Sequence, residues 1–294
     1  MILLDGKKIS GEIKTEIARN VTSLISKGFR PPHLVTVLVG ENDASQSYIR
    51  SKIKACDKVG FKSTNIKLDR SISESELLKV IQHLNNDTLV DGFIVQLPLP
   101  DGIDEFKVIN SIDPSKDVDG FHPVNLGKLL IGIDTYISAT PLGILELIKR
   151  YNISTEGKDI VVLGRSNIVG KPIAVCLMQK AYPGDASVTV LHSKTTNLKE
   201  KLCSADILIA AIGKPKFVTS EMVKENAVVI DVGINSIPDE QNPGSYILVG
   251  DVDFENVATK CSYISPVPGG VGLMTVAALM QNTLKAYKNR NGID

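Results

Sequence analysis

The sequence predicts an α/β protein of two domains, and three features carry that expectation. Its 294 residues exceed what one ordinary core uses, at about 150 residues per domain. Short apolar runs of strand length alternate with amphipathic segments, which is the pattern of parallel strands joined by helices. One of those strands, over 160–163, runs straight into a glycine-bearing turn and then a helix.

Taken in order, a short apolar strand opens the chain. Ile9, Ile13, Ile17, Val21 and Leu24 then recur at helical spacing up to Gly28, which suits a helix stop. Residues 34–39 read as a buried strand ending at Gly40. A helix follows over about 45–59, with Ile49, Ile53, Cys56 and Val59 on its apolar side, Tyr48 and Lys52 flanking that side, and Gly60 past its end. Residues 62–68 alternate as a strand, Ser73 and Glu76 have capping-box spacing before the next helix, and 92–96 is another short buried strand. Turn residues dominate 98–141, including Asp117-Val118-Asp119-Gly120, and loops of this kind carry sites. A connecting helix is expected over 142–151, and strands over 159–163, 187–191, 206–210 and 228–232. A final helix over 273–287 is expected to return to the first half. The predicted domains are thus 1–141, joined by 273–294, and 142–272.

Composition excludes several classes of function. Lys plus Arg and Asp plus Glu stand at 33 each, so no global field draws the chain to nucleic acid or to an anionic membrane. No stretch approaches the roughly 20 apolar residues of a membrane span. The start, Met1-Ile2-Leu3-Leu4-Asp5-Gly6, lacks the apolar core of a signal peptide. Cys56, Cys176, Cys203 and Cys261 form no CxxC pair and lie in apolar periodic segments, where buried free thiols are the ordinary reading. No metal site and a reducing, cytoplasmic location are expected.

The turn Gly164-Arg165-Ser166-Asn167-Ile168-Val169-Gly170 follows a strand and opens a helix, the context in which backbone N–H groups cradle phosphates. It departs from GxGxxG, because Ser166 stands at the second glycine position and the third glycine is displaced to Gly170. Alone, it could equally be a plain tight turn. The next strand ends in His192-Ser193-Lys194, where a NAD site commonly carries an acid. With no carboxylate there, Ser193 and the Arg165 guanidinium could receive a 2′-phosphate, which argues for NADP. Arg165 and Lys194 could instead be solvated surface charges, the stronger reading for Lys194. Gly213 and Gly233 offer close backbone approach at two further strand ends, with Gly233-Ile234 expected along the dinucleotide.

Five motifs stand in order along the chain: Tyr48-x-x-x-Lys52, Val95-Gln96-Leu97-Pro98-Leu99-Pro100, Asp117-Val118-Asp119-Gly120, Gly164-Arg165-Ser166, and Pro266-Val267-Pro268-Gly269-Gly270-Val271-Gly272. Together they resemble the bifunctional methylenetetrahydrofolate dehydrogenase/methenyltetrahydrofolate cyclohydrolase family, from Asp5-Gly6-Lys7 to the last helix. The resemblance implies an N-terminal folate-binding catalytic domain and a Rossmann-like NADP-binding domain. It implies NADP-dependent oxidation of 5,10-methylenetetrahydrofolate to the methenyl cation, then hydrolysis to 10-formyltetrahydrofolate, within the one-carbon metabolism that feeds purine, methionine and histidine synthesis. It also implies a homodimer formed through the cofactor domain. The family's folate site falls on Tyr48, Lys52, Gln96, Asp119, Pro268, Gly269, Gly270 and Gly272, with Lys52, Tyr48 and Gln96 the catalytic group. Its cofactor site falls on Gly164, Arg165, Ser166, Ser193, Gly213, Gly233, Ile234 and Thr275. Two departures stand out. Leu273 replaces the usual proline after the glycine segment, which should leave the helix start less rigid, and the stretch 181–185 lengthens a crossover as a surface turn.

The chemistry suits these residues. Hydride transfer asks for positioning and needs no protein base. A carboxylate such as Asp119 can accept two parallel hydrogen bonds from the amino-pyrimidinone edge of a pterin, although an aspartate before glycine is also a common loop cap, the stronger reading for Asp117. Water addition needs a group that exchanges protons, and a desolvated Lys52 beside a cation would lose its proton more readily, with Gln96 orienting the amine and Tyr48 against the folate. On spacing alone, Tyr48 and Lys52 could be an exposed helix pair. Rival readings are a dehydrogenase without the hydrolase, another two-domain dehydrogenase such as one acting on shikimate, and a non-catalytic NADP-sensing protein.

Overall fold

The structure is a computed structural model. It describes residues 1–40, 43–239, 242 and 244–293, with 43–47 described by their backbone alone. In chain order the elements begin β1 (Ile2–Leu3), α1 (Gly6–Ser26), β2 (His33–Val39), α2 (Asp43–Val59), β3 (Lys62–Leu68), α3 (Glu74–Asn86) and β4 (Gly92–Val95). Next come α4 (Glu105–Asn110), α5 (Pro123–Leu130), α6 (Ala139–Arg150), β5 (Asp159–Leu163), α7 (Gly170–Met178), β6 (Ser187–Leu191), α8 (Leu198–Cys203) and β7 (Ile207–Ala210). The chain continues through β8 (Val228–Asp231), β9 (Asn235–Pro238), β10 (Tyr246–Val249), α9 (Phe254–Val257), β11 (Tyr263–Ile264) and α10 (Val271–Asn291). It divides into two compact units, Gly11–Ala139 with Val276–Asp294, and Met1–Ser10 with Thr140–Thr275. Asp294, the end of the segment expected to return, lies outside the described residues.

In the first of these units, a parallel sheet of order β3-β2-β4 sets Val37 opposite Ile66 and Val95. Every residue of β2 is buried, as a central parallel strand with both faces covered requires. The capping box forms as its spacing predicts: Glu76 N–H donates to Ser73 Oγ at 3.3 Å and Ser73 N–H to Glu76 Oε2 at 3.0 Å. It starts α3 so that Leu77, Ile81 and Leu84 face Val35, Val37 and Phe93. Two helices lie inside the stretch read as turns. Asp104 caps α4 by accepting from the N–H groups of Phe106 and Lys107, and Pro123 occupies the first turn of α5. Helices of 6 and 8 residues are too short for an apolar period to show in the sequence. From Val276 onward α10 belongs to this unit. There the Cys56 thiol lies 3.8 Å from Met280 Sδ, and the Tyr287 hydroxyl donates to Arg30 O at 2.7 Å.

The other unit holds a parallel sheet of order β1-β11-β8-β7-β5-β6, with an antiparallel β9–β10 hairpin beside it in sequence. Val161, Leu163, Leu208, Val229 and Ile264 form part of its core. β6 pairs on one side of β5 and β7 on the other, so the sheet reverses direction at β5, the place where open α/β sheets leave a crevice. β1 joins this sheet, Leu3 pairing with Ile264, a placement that two residues of strand do not record in the sequence. Residues 181–185 are more than a surface turn. Pro183 and Gly184 are buried, and the Tyr182 hydroxyl donates to Ile148 O at 3.2 Å and Ile153 O at 3.3 Å. The cysteines are free thiols. Cys56, Cys176 and Cys261 are buried, but Cys203 is half-buried with its thiol donating to Glu221 O at 3.1 Å, which corrects the uniform expectation. Among the described residues, no helix is long and apolar enough to cross a membrane.

Candidate functional site

Lys52 is only 6% exposed although it sits on the flank of α2. Its amine donates to Gln96 Oε1 at 3.0 Å. Gln96 is fixed at the end of β4: its backbone N–H donates to Val37 O at 2.8 Å, and its Nε2 donates to Leu97 O at 2.8 Å. With the amide nitrogen committed to a carbonyl, the oxygen end faces the lysine. The Tyr48 ring centre lies 5.3 Å from the same amine, one helical turn away. Burial pushes the Lys52 ammonium below its ordinary range, with Asp119 and Cys56 pulling back the other way. Burial pushes the Asp119 carboxyl up, Lys52 opposing and Asp117 adding to the rise. Four predicted residues from α2, β4 and one loop therefore act on each other, and the exposed-pair reading of Tyr48 and Lys52 fails on burial.

The loop carrying Asp119 is clamped on both sides. Asp117 is the cap, accepting from His122 N–H at 2.8 Å, Phe121 N–H at 3.3 Å and Asn125 Nδ2 at 2.9 Å. That division of labour leaves Asp119 free of the capping role among the described residues. Asn282, from α10, donates to Val118 O at 2.9 Å and Ile137 O at 2.8 Å. Gly120, at φ +71, leaves no room for a Cβ against Ser138. Sequence reading missed Asn282, because a single asparagine in a long helix carries no signal of what it reaches.

The glycine segment belongs to the other unit. Lys7 N–H donates to Gly269 O at 3.1 Å, and a Cβ on Gly6 would overlap Gly270 O, which explains why Asp5-Gly6-Lys7 accompanies the motif. Pro268 is exposed, while a Cβ on Gly272 would stand 3.1 Å from Ile234 Cδ1, so two predicted residues meet. Thr275 Oγ1 lies 3.2 Å from Thr140 Oγ1. Leu273 N–H donates to Gly270 O at 3.3 Å, a bond that a proline could not make. The expected loosening of that helix start is therefore countered by a hydrogen bond.

At the carboxyl end of β5, Gly164 has φ +139 and no space for a Cβ against Ala211 O, and Gly170 is equally close to Gly164 O. Gly170 is needed for chain approach within the turn itself, and Gly164 for approach to the chain just after β7. What makes the turn fit a dinucleotide phosphate is its donor set. Ser166 Oγ accepts from Val169 N–H at 3.1 Å and Gly170 N–H at 3.3 Å, starting α7, while the N–H groups of Arg165, Ser166, Asn167 and Ile168 have no partner among the described residues. Arg165 and Ser193 are exposed, and the end of β6 bears no acid.

Beneath Gly213 and Gly233 lie two buried aspartates absent from the sequence reading. Asp231 accepts from Gly233, Asp251 and Val252 N–H groups, each at 2.9 Å. Burial pushes its carboxyl up to about 7 against those bonds, and the Asp251 charge adds to the rise. A Cβ on Gly250 would overlap the Asp231 carboxylate, and one on Gly233 the Asp251 carboxylate. The absence of a side chain at Gly233 thus has a reason inside the protein as well as the one predicted for a ligand. Among the described residues, no cluster of side chains could hold a metal ion.

Comparison with known proteins accounts for both halves. Residues 4–119 match the family model for the tetrahydrofolate dehydrogenase/cyclohydrolase catalytic domain, and 138–291 match its NAD(P)-binding domain. The bifunctional protein FolD of Porphyromonas gingivalis is 58% identical over 97% of each chain. The crystal structure of the bifunctional FolD methylenetetrahydrofolate dehydrogenase/cyclohydrolase of Campylobacter jejuni superposes with TM-score 0.93 at 48% identity, covering 99% of each chain. The Trypanosoma brucei dehydrogenase-cyclohydrolase, solved with NADP cofactor and an inhibitor, gives 0.92 at 35% identity over 98% of each chain. Matches of that extent, joined to a buried Lys52–Gln96 pair and a phosphate-fitting turn, make this chain a member of the tetrahydrofolate dehydrogenase/cyclohydrolase family.

Proposed function

We propose that the chain performs two reactions on one folate: NADP-dependent oxidation of 5,10-methylenetetrahydrofolate to the methenyl cation, and hydrolysis of that cation to 10-formyltetrahydrofolate. The observation that carries the reading is the buried Lys52 amine held on Gln96 at 3.0 Å, because only the hydrolytic step needs a proton-exchanging group. Bound NADP supplies the hydride acceptor for the first step. The residues suited to hold it are Gly164, Arg165, Ser166, Ser193, Gly213, Gly233, Ile234 and Thr275, with the unpaired N–H groups after β5 taking phosphate. Asp119 accepts from the pterin edge and Tyr48 packs against the folate, and the family resemblance also assigns Pro268, Gly269, Gly270 and Gly272 to substrate binding. For hydrolysis, water oxygen bonds to the methenyl carbon as Lys52 accepts a proton from it, and that proton passes to solvent. The adduct then collapses: its C–N5 bond breaks, the hydroxyl proton travels through Lys52 to N5, and the formyl group stays on N10.

The depressed affinity of Lys52 for its proton supports this role, since a neutral amine is the working form. We place the folate-binding catalytic domain at residues 1–141, joined by 273–294, and the NADP-binding domain at 142–272. The family resemblance supports a homodimer through the cofactor unit, and light scattering tests it. Free thiols suit a reducing, cytoplasmic compartment. The deciding assay follows NADPH formation from methylenetetrahydrofolate and, separately, loss of added methenyltetrahydrofolate. Both should proceed. Reduction without hydrolysis would leave a monofunctional dehydrogenase, and NADP binding without reduction a sensor.

A further inference from the structure

We propose that Asp251 is a positioning residue for the dinucleotide, clamping the turn after β7 to the segment after β8 as one rigid ledge. The inference rests on the reading that NADP lies along Gly213, Gly233 and Ile234. Asp251 is completely buried, and its two oxygens take four donors. Oδ2 accepts from Ile212 N–H at 2.7 Å and Gly213 N–H at 2.8 Å. Oδ1 accepts from Lys214 N–H at 2.9 Å and Asn235 Nδ2 at 2.9 Å. Three consecutive backbone N–H groups converging on one anion form a nest, and here the protein supplies its own anion. The turn after β7 is therefore filled from within and is no receptor for phosphate, which leaves that task to the turn after β5.

The clamp reaches the second segment twice. Asn235 opens β9 directly after Gly233-Ile234, and Asp251 N–H donates to Asp231 Oδ1, the same oxygen that receives Gly233 N–H. Gly233 and Gly250 lack side chains where the Asp251 and Asp231 carboxylates pass, so the two aspartate–glycine approaches interlock. A neutral amide at position 251 would keep the shape, lose one acceptor and turn an N–H2 group toward backbone donors.

The test uses the full chain with Asp251→Asn, well below its melting temperature. Amide hydrogen exchange at Ile212, Gly213 and Lys214 should speed up, and the NADP Kd, from titration calorimetry, should rise by about ten-fold or more. KM for methenyltetrahydrofolate in the hydrolysis reaction, which uses no cofactor, should change far less than the NADP Kd. A merely structural role would move both together. Unchanged exchange, or faster exchange with an NADP Kd within about two-fold of wild type, overturns the proposal. If Asp251→Asn fails to fold, Asn235→Ala removes only one of the four donors, and the same pair of measurements must shift in the same direction or the clamp is wrong. Failure of the wild-type chain to bind NADP would instead sink the reading on which the inference rests.

Discussion

Lys52 is held between opposing demands, since burial favours its neutral form while Asp119 favours the ammonium. Burial is the larger effect, so the neutral fraction begins to grow below the ordinary lysine value of 10.5. The rising limb of the cyclohydrolase pH profile should accordingly lie below that value, and it should vanish in Lys52→Met. Hydrolysis in this variant should fall by roughly 10²- to 10⁴-fold while dehydrogenation survives in part, so that methenyl cation accumulates. Its absorbance is the measurement, and near-wild-type hydrolysis with normal binding would remove Lys52 from the proton-exchanging role. Arg165 offers a second test at this scale. It is exposed beside donors suited to phosphate, and Arg165→Ala should weaken NADP more than NAD by about 1.5–3 kcal/mol, the worth of a charge-assisted hydrogen bond. Equal losses for both cofactors would show that Arg165 does not read the 2′-phosphate.

At the scale of elements, the loop bearing Asp119 owes its position to a helix far along the chain. Asn282 of α10 spends its amide nitrogen on Val118 O and Ile137 O, tying the loop to the segment that precedes α6. Asn282→Leu would leave two carbonyls without that donor, at a cost of about 1–3 kcal/mol for each one that stays buried. Thermal stability should drop, and KM for both folate substrates should rise in parallel because both reactions hold the same ring. A lowered Tm with both KM values unchanged would reduce Asn282 to a purely stabilising residue. α4 and α5 make a related point: each starts at a local side-chain cap, Asp104 for α4 and His122, followed by Pro123, for α5.

For the molecule as a whole, acid should help one term of stability. The Asp231 carboxyl sits near 7 in the folded chain against 3.8 for an ordinary aspartate, so the native state holds its proton more tightly. That contribution is complete below about 3.8 and is lost as pH rises to about 7. In melts from about pH 5 to pH 8, the stability of wild type relative to Asp231→Asn should therefore decline with rising pH. A difference that is flat or grows would contradict the folded-state shift. Strands β1 to β8, the long helices, the capping box at Ser73 and the turn after β5 were legible in the sequence, because periodicity, caps and strand-to-helix turns act over a few residues, whereas β9, β10 and β11 were not. Motif order was enough to nominate Lys52, Gln96 and Asp119. Tertiary structure alone decided that Lys52 is buried on Gln96, that β1 completes the second sheet, and that Asp251 fills the turn behind Gly213. Each of those outcomes is a contact between segments far apart in sequence, and no local propensity records which distant donor or acceptor the fold will bring.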